Sequence, residues 1–70
     1  MSDQVIISLI VDQAERGNPD ADRVFVERFD ADTHAKTENR DEADRFDRHE
    51  AEQILAAGYW WHLEPRIEAV

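Results

Sequence analysis

The tract from Gln4 to Val11, Q-V-I-I-S-L-I-V, constrains this chain most, because it is the densest apolar run in a sequence of which 36% is charged. Val and Ile are stiff at χ1 and favour extended backbone, and Asp12 bounds the run, so it reads as a strand. Its odd positions Val5, Ile7, Leu9 and Val11 make an unbroken apolar face. The even positions Ile6, Ser8 and Ile10 make the second face half apolar, as expected of a central strand or of one covered by a partner. Residues 1–70 are read as a single domain, near the size at which one core supplies only about 3–5 kcal/mol.

Asp12 to Asp22 contains Gly17-Asn18-Pro19-Asp20, where Pro presets φ and Gly tolerates positive φ, so this tract is a turn. Arg23 to Phe29, R-V-F-V-E-R-F, follows as a second strand, antiparallel to the first. Residues 30–42 contain no large apolar side chain and are expected to form an exposed acidic loop, long enough to be the first place to seek a binding site. Ala43 to Phe46 reads as a short edge segment anchored by Phe46.

Asp47-Arg48-His49-Glu50 has the form of a capping box. Ala51, Ile54, Leu55 and Gly58 then share one narrow helical face, and Gly58 is placed to end the helix in the left-handed region. Tyr59 to Ile67 alternates as a last strand, with Tyr59, Trp61, Leu63 and Ile67 on one face and Trp60, His62, Glu64 and Arg66 on the other. Pro65 bends it or places it at an edge. The order strand, strand, short strand, helix, strand predicts an α+β fold, a small antiparallel sheet of three to four strands with one helix packed on one face. The expected core is Val5, Ile7, Leu9, Val11, Phe25, Phe29, Phe46, Ile54, Leu55, Tyr59, Trp61, Leu63 and Ile67, with Val24 and Val26 competing with Phe25 and Phe29.

Charge narrows the function classes. Seventeen Asp and Glu against eight Lys and Arg give a net charge of −9, which disfavours direct contact with nucleic acid or anionic membranes and steers the chain toward basic proteins. Nine of the acids fall between residues 30 and 52: Asp30, Asp32, Glu38, Asp41, Glu42, Asp44, Asp47, Glu50 and Glu52. Carboxylates two apart on an extended segment, such as Asp30 and Asp32, would project to one side at roughly 6.6–6.8 Å, a row of charges able to stand in for phosphates. The competing reading is a solvated loop that only maintains solubility. With Trp61 in the core, alternation would put Trp60 on the opposite face as a partly exposed interface anchor, unless it lies over the Arg66 or Arg28 stem or joins the core.

No cysteine is present, which excludes disulfides and thiol catalysis and makes the cytoplasm the expected compartment. The apolar run is too short to cross a bilayer, and no basic segment precedes it as a signal peptide would require. Hydroxyl nucleophiles are limited to Ser2, Ser8, Thr33 and Thr37, none beside a positioned base, and glycine loops for phosphate are lacking. The stretch from Asp30 begins like a calcium loop but has Ala35 where the turn glycine belongs and Asp41 where the bidentate Glu belongs. His34, His49 and His62 lie on separate elements. No enzyme, metal or cofactor is therefore expected.

The segment Ala43-Asp44-Arg45-Phe46-Asp47-Arg48-His49-Glu50-Ala51-Glu52 resembles a pattern common in small phage and prophage proteins, in which A-x-x-F leads through a cap residue into an E-A-E helix. In size and acidity the chain is also similar to the anti-CRISPR proteins. The resemblance implies a phage-encoded inhibitor that acts in the host cytoplasm by occupying the basic nucleic-acid-binding surface of a host protein, such as an immune complex. Its carriers would be the nine acids and Trp60. The alternative is an accessory or assembly module that self-associates as a homodimer, or docks, through the second sheet face, using Ile6, Ile10, Val24, Val26 and Trp60.

Overall fold

The computed structural model describes residues 3–30 and 32–70; the hydroxyl of Ser2 and the centre of the Asp30-Ala31-Asp32 sequence lie outside them. Among the described residues five antiparallel strands and one α-helix make up the α+β fold: β1 (Gln4–Ile10), β2 (Arg23–Phe29), β3 (His34–Thr37), β4 (Phe46–Asp47), α1 (Arg48–Ala56) and β5 (Arg66–Ala69). The sheet runs β3-β2-β1-β4, with β5 also paired to β1.

β1 is the central strand that its composition demands. Val5 pairs with both Phe46 and Ala69, and Ser8 with both Phe25 and Arg66. A residue has one partner on each side, so β5 lines one edge of β1 while β2 and β4 share the other. β2 pairs with the end of β1 and β4 with its start, and the Asp44 N–H reaches back to the Val26 carbonyl at 2.9 Å. The segment expected at an edge is thus wedged between β1 and β2. Every side chain of β1 from Val5 to Ile10 is buried.

Directly paired residues of antiparallel strands point to the same face, which sorts the sheet into two sides. Val5, Ile7 and Leu9 lie with Val24, Val26 and Ile67, and α1 covers them with Ala51 and Ile54. A β-bulge at Glu27, between Val26 and Arg28, then shifts the parity of β2 by one residue. Phe29 therefore joins the helix side, half-buried, while Phe25 faces the other side. The two phenylalanines expected to share a face are divided by that one extra residue.

The second side carries Ile6, Ser8, Phe25, Arg23, Arg66 and Glu68. It is not open. After β3 the chain crosses it in a 3₁₀ turn, Arg40–Glu42, capped by Asn39, whose side chain accepts the Asp41 N–H at 2.9 Å. From this turn Arg40 stretches over the Phe25 ring at 5.7 Å and across to β5, where it bonds Glu68 Oε1 at 3.1 Å and the Ala69 carbonyl at 2.6 Å. This strap, with the Arg23 side chain beside it, leaves Ile6 only 2% exposed.

Two expectations for the helix meet different fates. Ala51 and Ile54 are buried and Leu55 half-buried, as its periodicity predicts, and Gly58 follows the last turn at φ 94° with its N–H on the Leu55 carbonyl at 3.0 Å. Asp47 does occupy the cap position, but its carboxylate makes no capping hydrogen bond. Its backbone is already engaged as part of β4.

The last strand is shorter than its alternation suggests. Residues 59–63 form a turn and a 3₁₀ turn, Trp61–Leu63, and only Arg66–Ala69 pairs with β1. Gly58 and Trp60 both take positive φ, which resets the direction of each following side chain and abolishes the period of two. Trp60 is consequently buried and Trp61 is 66% exposed, the reverse of the expected arrangement. Tyr59 and Val11, also expected in the core, are exposed.

Candidate functional site

The acidic stretch at residues 30–42 is largely exposed, yet it is more structured than a loop. It contains β3 and the turn that carries Arg40. The run H-A-K-T has no core to fill because β3 is an edge strand, held by its pairing with β2 from Thr37↔Phe25 to His34↔Phe29. Its exposed Lys36 and flanking charges discourage strand-on-strand association.

The nine acids do not form a single row. Asp30, exposed, organises the β2–β3 connection: its Oδ1 accepts from the N–H groups of Asp32 at 2.9 Å and Thr33 at 2.8 Å, and its Oδ2 meets Arg28 Nε at 3.2 Å. These bonds, the Asp32 N–H foremost, hold its carboxyl below the usual carboxylate range. The expected side-by-side projection of Asp30 and Asp32 is therefore not formed. Glu42 accepts from Thr37 Oγ1 at 3.0 Å, and half-buried Asp44 accepts from the Arg45 N–H at 3.0 Å. Glu50 and Glu52 stand on α1, on the helix side of the sheet, whereas Asp47, paired with Gln4, points by its register to the second side.

Three acids around β3 are unengaged. Asp32 and Glu38 lie just beyond the two ends of β3, and Asp41 sits in the turn that follows. All three are exposed, and among the described residues their carboxylates have no hydrogen-bond or ion-pair partner. Asp32 and Glu38 flank the edge strand, and Asp41 stands on the turn that crosses the second side. Among the described residues only three of the 17 carboxylates meet a cation within ion-pair distance: Asp3 with Arg48, Asp30 with Arg28, and Glu68 with Arg40. The negative field is left largely uncompensated.

Trp60, expected as an exposed anchor, belongs to the core. It packs edge-on against Phe29 at 5.4 Å and lies 5.8 Å from Tyr59 and 6.1 Å from His34. Ile6, Ile10 and Val26 of the expected docking face are likewise buried within this one chain, so they offer no surface to a partner. The residue that alternation misses is Trp61. The doublet Glu64-Pro65 after Gly58 brackets residues 59–64 as a turn, and that punctuation is the available signal.

Under the Arg40 strap, polar groups are paired. Ser8, fully buried in β1, accepts from Arg23 Nε at 3.1 Å through its hydroxyl and from Arg23 Nη2 at 3.2 Å through its carbonyl. The Ser8 hydroxyl first, then Arg40, holds the Glu68 carboxyl below its ordinary value. Burial first, then repulsion from Arg66, lowers that of Arg23. A carboxyl depressed in the folded state contributes stability above its unfolded pKa and loses it as pH falls through the folded value. Glu68→Gln is accordingly expected to be less stable than the parent at neutral pH, with the gap closing in acid, as urea unfolding at a series of pH values will read.

Among the described residues there is no enclosed cavity and no cluster of three metal-ligating side chains. None of their helices is long and apolar enough to cross a membrane. What fold and surface define together is a small α+β protein with an acidic sheet edge and one exposed tryptophan. Comparison with protein-family models, curated proteins and solved structures finds no match.

Proposed function

We propose that this protein is a non-enzymatic binder of basic protein surfaces, whose docking edge is the acidic rim around β3. The observation that carries the reading is the set of exposed, unpartnered carboxylates on Asp32, Glu38 and Asp41. Among the described residues nothing consumes their charge, so it is available to a cationic partner, and the uncompensated remainder steers the encounter. A surface that grips nucleic acid is the fitting complement, because it is basic. Blocking such a surface on a host protein is the inhibitory role that the size and acidity shared with anti-CRISPR proteins suggest.

Competition tests this directly. A host protein retained by the immobilised chain at low salt should be released by duplex DNA, because both ligands claim one surface. Retention indifferent to excess DNA contradicts the proposal.

A further inference from the structure

Trp61 is the large aromatic side chain that the fold pushes furthest into solvent, at 66% exposure, and three features make that placement a built one. First, the turn that presents it lies between two residues in the left-handed region, Trp60 at φ 56° and Glu64 at φ 46°. For residues with a Cβ this conformation costs on the order of 1–2 kcal/mol each, and it persists only where surroundings enforce it. Here they do. The Trp60 ring is locked among Phe29, Tyr59 and His34, while the Glu64 carbonyl accepts from Arg23 Nη2 and Glu64 Oε1 accepts from the Gly17 N–H at 2.6 Å.

Second, that last bond ties the β1–β2 connection to the turn, so Arg16 comes to lie over the Trp61 ring with its guanidinium carbon 5.8 Å from the centroid. The ring already holds a guanidinium from its own chain. Third, exposed Asp12 and Glu15 stand in that same connection, beside Arg16. An aromatic face, a chain of net charge −9 and a resident guanidinium together describe a site suited to arginine. Arginine stacks on aromatic rings through its flat, weakly hydrated guanidinium, as the strongly hydrated ammonium of lysine does less well.

We infer that Trp61 is an arginine-reading anchor, which takes a guanidinium from a basic segment of the partner protein in the way it already takes that of Arg16. The inference rests on the proposed binding of basic proteins and adds the chemistry by which one kind of basic residue is preferred. Charge alone attracts lysine and arginine alike. The ring separates them.

The test uses two labelled peptides, nona-arginine and nona-lysine, titrated at low salt against the full chain and two variants. Trp61→Ala is expected to weaken nona-arginine binding about threefold to tenfold, the range of a partly exposed cation–π contact, and to leave nona-lysine within about twofold. Arg16→Gln frees the ring and removes one positive charge, so both peptides should bind more tightly, nona-arginine by the larger factor. Equal losses for both peptides in Trp61→Ala, or no loss in either, overturns the anchor while the acidic reading stands. Failure of the parent chain to bind either peptide overturns both. Should Trp61→Ala melt below the parent, the arginine-specific gain in Arg16→Gln decides, and its absence refutes the anchor.

Discussion

Trp60→Ala is expected to leave the chain largely unfolded at room temperature, whereas Trp61→Ala, one residue on, is expected to change stability by less than about 0.5 kcal/mol. Removing a buried Trp or Phe side chain costs about 3–5 kcal/mol in transfer and cavity terms. A domain of this length has about that much in total. Trp60 also closes the Phe29, Tyr59 and His34 cluster, so its loss opens the end of the sheet where β2 turns into β3. Trp61, 66% exposed, meets the Arg16 guanidinium and the His62 ring. Urea unfolding followed by far-UV circular dichroism reads both variants. A stable Trp60→Ala protein would mean that residues 58–64 are arranged otherwise than described.

The second large effect is on association. Reversing Asp32, Glu38 and Asp41 together to Lys shifts net charge from −9 to −3 and places three cations where the partner's own cations would sit. These side chains have no partner among the described residues, so the fold is expected to survive. Electrostatic steering separates association rates of about 10⁵–10⁶ from about 10⁸–10⁹ M⁻¹s⁻¹. The triple variant should therefore bind a captured partner on the order of 10–100-fold more slowly, as surface plasmon resonance measures. A reversal of Glu50 and Glu52 on the helix side changes the net charge by four units where the triple variant changes it by six, but it should leave dissociation unchanged. Faster dissociation only in the helix-side variant would move the docking edge to the other side of the sheet.

How much of this is legible in the sequence follows from which forces shape each element. β1, β2 and the buried face of α1 are readable because burial imposes its period on the sequence: Val5, Ile7 and Leu9 in the strand, Ala51 and Ile54 in the helix. Gly58 is readable because a left-handed residue after a helix favours glycine. β3 is hidden, since an edge strand held by backbone bonds needs no apolar pattern, and H-A-K-T shows none. The bulge at Glu27 leaves no mark, so the pattern alone puts Phe25 and Phe29 on one face. The crossing of Arg40 over the second face also escapes, because a lone arginine in a polar stretch does not announce that its stem replaces a layer of core. The tryptophans are inverted for a more specific reason. Alternation runs on through residues 59–63 in the sequence, where Gly58 and Trp60 turn the chain out of the strand.

For the candidate site, composition locates the charge, but the geometry divides it. Asp30, Glu42 and Asp44 are occupied in local bonds, Glu50 and Glu52 lie on the helix, and Asp47 belongs to β4. Asp32, Glu38 and Asp41 carry no such bond, and composition does not distinguish an engaged carboxylate from a free one.

The central claim, that uncompensated negative charge drives recognition of a basic partner, is tested most directly by the salt dependence of the affinity for a captured partner. Between about 50 and 200 mM salt the dissociation constant is predicted to rise at least about tenfold, and the rise should flatten in the Asp32, Glu38, Asp41 triple reversal. An affinity constant across that range, in the parent and the variant alike, would contradict the claim.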